Sequence, residues 1–237
     1  MKKLLGSLLL LILGVGAFAQ PINDANAEKR NVASFHGIDV ATGIRLFLSE
    51  GSTEAVAVSA DKVEHRDKIV TEVVNGILKI HYDNRLNAVN KKNETKDLRA
   101  YVSYKQLDLL YVTTGAEAEI SGVLKSPSLD LKANTGGHVN GNVSITSMKV
   151  DQNTGSKISM SGNVESLDID GSTGSKFEGE GLNTGTCNVT VSTGARVSIS
   201  ADKELQVKAS TGGSVKYKGA AKLKEIKTNT GGSISRI

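Results

Sequence analysis

Three aspartates near the middle of the sequence are the residues best suited to catalysis. Asp151 and Asp170 are separated by one interval of a sequence repeat described below, and Asp168 lies just before Asp170. If positions one interval apart stack on neighbouring strands, the carboxylates of Asp151 and Asp170 lie about 5 Å apart. Such a pair can divide general acid and base roles or hold a cation. One alternative function is therefore a polysaccharide lyase or hydrolase of the parallel β-helix type.

The charges around these aspartates favour a simpler interpretation. Lys132 lies one repeat interval before Asp151, and Asp130, Lys149 and Asp168 alternate in sign at the same spacing. Opposite charges on neighbouring strands prevent like-charge repulsion on an exposed sheet. We therefore interpret these positions as a solvated charge ladder, and we predict no catalytic residues and no enzyme activity.

A second group of charged residues is basic. Lys157, Lys176 and Arg196 occupy one position of a repeated phrase, the third after its threonine, and we call them the basic stripe. Such a stripe could bind an acidic glycan or phosphate groups, although Glu178 beside it reduces the positive charge. The alternative is an ordinary solvated sheet face.

Metal and cofactor chemistry has little support in the sequence. His36, His65, His81 and His138 show no paired spacing, and the single cysteine, Cys187, excludes an intramolecular disulfide. There is no phosphate-binding loop, Ser-His-Asp order or calcium-type glycine repeat. We predict no metal and no cofactor, with Cys187 a small core residue.

A short phrase that recurs along the second half of the chain must position all of these side chains. Its form is Asn, Ser or Thr, then Thr-Gly, then Ala, Gly or Ser. A nearly fixed period of roughly 19 residues predicts a solenoid. The glycines should mark corners that need a positive φ, and the preceding threonines have the parity of inward-facing residues. The predicted turn glycines are Gly115, Gly136, Gly155, Gly174, Gly194, Gly212 and Gly231.

Two apolar columns flank the phrase in every copy. The first inner column, four positions before the threonine, contains Leu110, Leu131, Val150, Ile169, Val189, Val207 and Ile226. The second inner column, four positions after it, contains Ala118, Val139, Ile158, Phe177, Val197, Val215 and Ile234. Period-2 alternation on both sides of a corner predicts strand, turn and strand, with one face of each strand buried. The prediction is an all-β solenoid with coils of about 19 residues.

The start of the chain has the features of an export signal. Lys2-Lys3 precedes an apolar run, and Ala17-Phe18-Ala19 fits a cleavage site, so we predict a signal peptide at 1–19. We expect no transmembrane segment in the mature chain and a periplasmic, cell-surface or secreted location. The formal net charge is +4, of which Lys2 and Lys3 supply +2. This near-neutral balance gives no support for nucleic-acid binding.

The remaining segments fit one domain. We predict a disordered leader at 20–31, a single β-solenoid at 32–237 and an exposed polar loop at 83–97. Thr42-Gly43 is an early copy of the repeated dipeptide, and the length of chain from Thr42 to Thr114 is close to four coils. The segments 69–74 and 77–82 should form a hairpin around Asn75-Gly76.

The chain resembles the putative auto-transporter adhesin, head GIN domain family. The resemblance rests on the opening FHGIDVATGIRLFLSEG, the strand pair IVTEVVNGILKIHY and the STGA and NTGG phrases, and it covers residues 32–237. It implies a right-handed, single-stranded parallel β-helix with an adhesive role. It supplies no catalytic residues. We expect an exported, non-enzymatic binding or adhesion module at the cell envelope or surface, with a glycan or a surface protein as its partner.

The last repeat stops in mid-coil at Ile237, without a visible capping helix. Unpaired strand edges invite pairing with another chain. We therefore expect a homo-oligomer formed through the C-terminal coils, and a third function is that of a self-assembling structural scaffold.

Overall fold

The computed structural model describes residues 24–83 and 95–237, and these form a β-solenoid of about 7 turns with coils of about 19 residues. The predicted fold class is therefore confirmed. The predicted signal peptide at 1–19, residues 20–23 of the predicted leader and residues 84–94 of the predicted polar loop lie outside the described residues.

The described part of the chain contains sixteen strands and one short helix. In chain order the strands are β1 (Glu28–Arg30), β2 (Gly37–Val40), β3 (Arg45–Glu50), β4 (Ala55–Ser59), β5 (Ile69–Val74), β6 (Ile77–Tyr82), β7 (Arg99–Tyr104), β8 (Leu109–Val112), β9 (Glu117–Ala133), β10 (His138–Gln152), β11 (Lys157–Gly171), β12 (Lys176–Val191), β13 (Arg196–Ala209), β14 (Ser214–Lys218), β15 (Lys222–Thr228) and β16 (Ser233–Arg236). The helix α1 (Val63–Arg66) lies between β4 and β5.

The long strands β9 to β13 form the regular part of the solenoid. Each pairs in parallel with its copy one coil later, so that Val139 faces Ile158, which in turn faces Phe177. Both inner columns are at most 2% exposed from Leu110 through Val215. Apolar burial of this kind stabilises each coil only when a neighbour covers it, because one coil has no core of its own.

The repeated phrase forms a two-residue turn that stacks on its copies. Each threonine has a φ of 47° to 59° and each following glycine a φ of 68° to 76°, as a type I′ turn requires. In one example the Ser156 amide donates to the Asn153 carbonyl at 3.2 Å, which closes the turn. The Gly155 amide donates to the Thr173 carbonyl of the next coil at 3.0 Å.

The orientation predicted for the turn threonines was wrong. Thr154 and its equivalents from Thr114 to Thr230 are exposed, whereas the residue after the glycine points inward, as Ser156 does. The positive φ of both central residues moves the corner out of strand geometry, so the period-2 parity does not continue through the turn.

The Thr42-Gly43 turn lies directly beside the first regular copy, Thr114-Gly115. The Gly43 amide donates to the Thr114 carbonyl at 3.0 Å, β2 pairs with β8, and β3 pairs with β9. The intervening segment, although its length is close to that of four coils, therefore does not add four coils between these two turns. The chain between Thr42 and Thr114 leaves the stack, forms the first end of the solenoid and then returns to the stack.

The first end of the solenoid is closed by antiparallel strands. β6 and β7 extend the parallel stack beyond β2 and β3, and β5 and β4 then pair with them in antiparallel fashion. β1 pairs with β4, although the sequence placed it within a disordered leader. Asp24 helps to hold this segment against the solenoid, because its carboxylate accepts hydrogen bonds from Arg99 at 3.0 Å and from Tyr101 at 2.8 Å.

The last end of the solenoid is open as far as the described residues extend. β15 pairs with β13, and β16 pairs with β14. No further strand among the described residues covers their outer edges. Leu223 is 47% exposed and Ile226 is 38% exposed, although both belong to the inward face of β15.

Candidate functional site

The structure brings the three candidate aspartates together on one sheet face. Asp151 pairs in register with Asp170, and Asp168 pairs with Lys149. Burial, followed by the charges of Asp151 and Asp168, raises the pKa of Asp170 above its usual value. All three side chains are exposed, and none lines either of the cavities described below.

The basic stripe is also in register, but an acidic residue partly neutralises it. The carboxylate of Glu178 lies 3.2 Å from Nζ of Lys157 and 2.5 Å from Nζ of Lys176, and Ser159 donates to it at 2.7 Å. The hydrogen bond from Lys176, with that from Ser159, lowers the pKa of Glu178 to about 2. Glu178 therefore stays ionised at physiological pH and offsets the charge of two stripe members.

A polar groove crosses four coils on another part of the surface and is lined by residues of β10 to β13. It is a cavity of about 400 Å³. Three buried residues form its floor, and mostly polar residues flank this floor on both sides. The floor residues are Ile145, Val164 and Thr184, and the flanking residues are Ser144, Thr146, Asn163, Glu165, Asn183, Gly185, Asp202 and Lys203.

The groove is held in shape by contacts between neighbouring coils. Nδ2 of Asn183 donates to Oδ1 of Asn163 at 3.1 Å, and the two residues pair in register. The Thr184 hydroxyl donates to the Ser200 carbonyl below the surface. Gly185 lies close to the neighbouring coil, because a Cβ there would lie 2.7 Å from the Glu165 carbonyl oxygen. A side chain at position 185 would therefore displace backbone.

The groove offers hydrogen-bond donors and acceptors with little net charge. Asn163 and Asn183 supply amides, while Glu165, Asp202 and Lys203 sum to a formal charge of −1. Similar groups recur once per coil, at intervals of about 4.8 Å. This arrangement can bind a polar, hydroxyl-rich chain that lies along the solenoid axis.

The groove was not evident in the sequence. Asn163 and Asn183 were visible as a polar pair about one coil apart, but the alternating pattern predicts only that they point outward. The pattern of apolar residues does not reveal that these positions line a cavity.

A second cavity of about 370 Å³ lies beside the first turn of the stack, where Arg45, Lys96 and Glu117 line it. The Lys96 ammonium lies 4.4 Å from the centre of the Tyr82 ring.

The histidines and the cysteine occupy separate places. His36 lies 2.6 Å from Asp108 and His65 lies 2.6 Å from Asp61, in both cases through Nδ1. Burial, with a smaller contribution from the charge of Asp168, raises the pKa of the Cys187 thiol to about 12, which makes it a poor nucleophile. Within residues 24–83 and 95–237, no group of three or more His, Cys, Asp or Glu side chains could hold a metal ion.

The helical part of the described chain is too short and too polar to cross a membrane.

Comparisons with known proteins agree on the fold. Residues 34–221 match the family described as putative auto-transporter adhesin, head GIN domain. A putative adhesin from Bacteroides fragilis superimposes with a TM-score of 0.79 at 16% identity, covering 89% of this chain and 96% of that one. No curated protein matches the sequence.

Two further crystal structures have the same fold. A putative adhesin from Parabacteroides merdae has a TM-score of 0.70 at 15% identity, over 89% of this chain and 95% of that one. A putative lipid binding protein from Parabacteroides distasonis has a TM-score of 0.65 at 15% identity, over 90% of this chain and 98% of that one.

Proposed function

The chain belongs to the putative auto-transporter adhesin, head GIN domain family, and on this premise we propose that it is an exported, non-enzymatic adhesion module. We further propose that it binds an uncharged, hydroxyl-rich glycan in the polar groove. The observation that carries the glycan proposal is the register of Asn163 and Asn183 across a groove of about 400 Å³.

The position of the groove supports this proposal. It lies on β10 to β13, where every coil pairs with a coil on each side. A rigid surface loses little conformational entropy when it binds a ligand. The amides and carboxylates of the groove can exchange their hydrogen bonds to water for hydrogen bonds to sugar hydroxyls.

The basic stripe gives weaker support for an acidic ligand. Glu178 offsets Lys157 and Lys176, so Arg196 is the stripe member without an ion pair among the contacts described. Exposed charges of this kind are also screened at physiological salt. We therefore assign the binding role to the groove.

Asp151, Asp168 and Asp170 carry the enzyme alternative, and the raised pKa of Asp170 favours it. However, catalysis by a carboxylate pair needs a site that orients the substrate and limits access of water. The three aspartates stand on an open sheet face instead, so we propose that they bind no substrate.

The experiment compares three variants on immobilised neutral and acidic polysaccharides. Asn163→Ala with Asn183→Ala removes the groove amides, Lys157→Ser with Lys176→Ser and Arg196→Ser removes the stripe, and Asp151→Asn with Asp170→Asn removes the carboxylate pair. We expect wild type to bind a neutral polysaccharide. The groove variant should bind it about 30-fold more weakly, since it loses two hydrogen bonds that are worth about 1 kcal/mol each.

The stripe and carboxylate variants are the matched controls, and each should bind within about twofold of wild type. A thermal melt confirms that every variant is folded. Equal binding by the groove variant and wild type contradicts the groove assignment. New reducing ends or unsaturated products that disappear in the carboxylate variant contradict the non-enzymatic proposal.

A further inference from the structure

Four polar atoms in the core, beneath the turns of two neighbouring coils, have no protein partner. They are Oε1 and Nε2 of Gln152 and the hydroxyl oxygens of Ser156 and Ser175, and none accepts or donates a hydrogen bond among the described residues. All three residues are only 1% exposed. Buried polar groups in folded proteins nearly always have a partner, and an ordered water is the usual one where the protein supplies none.

The stacking of the coils brings the two serines side by side. Ser156 and Ser175 each follow the glycine of a turn, one coil apart, and both are buried. The Lys176 amide donates to the Ser156 carbonyl at 2.9 Å, so the two positions are neighbours. Equivalent atoms on neighbouring strands lie about 4.8 Å apart. This separation is too long for a direct hydrogen bond, but it fits two hydrogen bonds of about 2.8 Å that meet at one oxygen atom.

Gln152 reaches the same place because the residue opposite it has no side chain. Gln152 pairs in register with Gly171. A Cβ at Gly171 would lie 3.3 Å from Nε2 of Gln152 and 3.5 Å from Oγ of Ser175. The carboxamide and this hydroxyl therefore border the same small space. In the coils before and after, the same position holds Ala133 and Val191, so the polar side chain is confined to this pair of coils.

We propose that Gln152, Ser156 and Ser175 form a binding site for an ordered water molecule, which we call the inner polar site. The water has the two hydroxyls and the Gln152 carboxamide as its partners. Three hydrogen bonds are the usual number for a buried water. The three side chains are uncharged and can each donate or accept, which suits water better than a cation that needs anionic oxygen ligands.

The inner polar site joins two consecutive coils from within. Gln152 and Ser156 belong to one coil and Ser175 to the next, so the water connects side chains across the boundary between them. At the surface the same two coils are joined by the hydrogen bond from the Gly155 amide to the Thr173 carbonyl. The water therefore adds an interior link below an exterior one.

A crystal structure of residues 20–237 that resolves ordered water tests the geometry. We expect a water oxygen within about 3.2 Å of Oγ of Ser156, of Oγ of Ser175 and of the Gln152 carboxamide. A direct hydrogen bond between Gln152 and either serine, with no water between them, would overturn the proposal. A dry space among the three side chains would also overturn it.

Two single substitutions test the site by the direction of their effect. If a water bridges the hydroxyls, Ser156→Ala and Ser175→Ala each remove one of its hydrogen bonds, and the melting temperature should fall by roughly 2 to 4 °C. If the hydroxyls have no partner, each substitution removes a buried unsatisfied group, and the melting temperature should rise. A rise or no change in either variant contradicts the proposal.

The matched control is Ser166→Ala, on the exposed face of β11, which should change the melting temperature by less than about 1 °C. The double variant Ser156→Ala with Ser175→Ala should lose less than the sum of the single losses, because both substitutions act on the same water. Additive losses would mean that the hydroxyls have separate partners, which sinks the shared site. None of these measurements involves a glycan, so the inner polar site and the groove assignment are tested independently.

Discussion

Residues of the same inner columns are buried at the first end of the solenoid and exposed at the last end. At the first end, Ile38 and Leu46 lie four positions before and after Thr42, and both are fully buried. They are covered by Leu78 and Ala100, which β6 and β7 place on the outer side. At the last end, Ile226 is exposed because nothing among the described residues lies beyond it.

This difference shows that the stability of a coil comes from its neighbours. A repeat with the same apolar positions is buried or exposed according to what stacks on it, as expected when stability is a sum over neighbouring units. The first end uses the long segment between Thr42 and Thr114 to build a cover from strands of mixed direction. The regular coils need no such cover, since each one covers the next.

The largest expected effect compares two isoleucines of the first inner column. Ile169→Ala should lower the free energy of unfolding by about 4 kcal/mol, because it leaves a cavity in a fully covered coil. The melting temperature should fall by roughly 8 to 16 °C. Ile226→Ala should cost about 1 kcal/mol, since its side chain is already partly hydrated.

Thermal melts of both variants beside wild type check this pair. Equal costs would mean that the last coil is as well covered as the middle of the stack.

The next effect compares two glycines that follow the turn. A Cβ at Gly137 would lie 2.2 Å from the Val112 carbonyl oxygen, and one at Gly232 would lie 2.0 Å from the Ala209 carbonyl oxygen. Gly137→Val should cost about 3 kcal/mol, because the coils on both sides resist displacement. Gly232→Val should cost below about 1 kcal/mol, because the last coil can separate from the stack.

Hydrogen exchange distinguishes these two responses. Gly232→Val should speed exchange only in β15 and β16, whereas Gly137→Val should destabilise the chain cooperatively. Loss of global stability in Gly232→Val would contradict the view that the open end is held by a single neighbour.

The smallest effect concerns acid stability. The pKa of Glu178 is about 2 in the folded chain, below its ordinary value of 4.5, so its ionised form stabilises the fold above pH 4.5. This contribution is lost as the pH falls from about 4.5 towards 2. Glu178→Gln should therefore lower the melting temperature at pH 7 and have little effect at pH 2. Because Glu178 is partly exposed, the difference at pH 7 should be below about 1 kcal/mol.

Glu225 provides the comparison at the open end. Its hydrogen bond from Lys227 lowers its pKa, but both side chains are solvated. Glu225→Gln should change the melting temperature less than Glu178→Gln at pH 7. A larger change at Glu225 would contradict the ranking of the middle of the stack above its last end.

The sequence predicted the regular coils because their information is local. Ile169 and Phe177 each stand four positions from a turn threonine, and that spacing recurs in every copy. The first end could not be predicted in this way, since the pairing of Val40 with Val112 joins strands that are far apart in the sequence. No local pattern specifies which distant strand a buried edge will meet.

The candidate sites followed the same rule. The sequence placed Lys157, Lys176 and Arg196 in one column correctly, because register follows from the period. It indicated Glu178 but not that one carboxylate contacts two lysines, which depends on how the side chains extend. The polar groove is lined by residues of four neighbouring coils together, which single positions do not encode.

The hydrogen bond from a turn glycine to the turn threonine of the next coil stacks the turns directly on each other. The solenoid can therefore be lengthened or shortened by whole coils. Removing residues 156–174 would join Gly155 to Ser175 and leave the phrase Asn-Thr-Gly-Ser intact. The shortened solenoid would keep its register and lose about 4.8 Å of height. Duplication of the same segment would lengthen it by the same step. Relatives of different length can therefore arise by whole-coil insertion or deletion, without any change to either end.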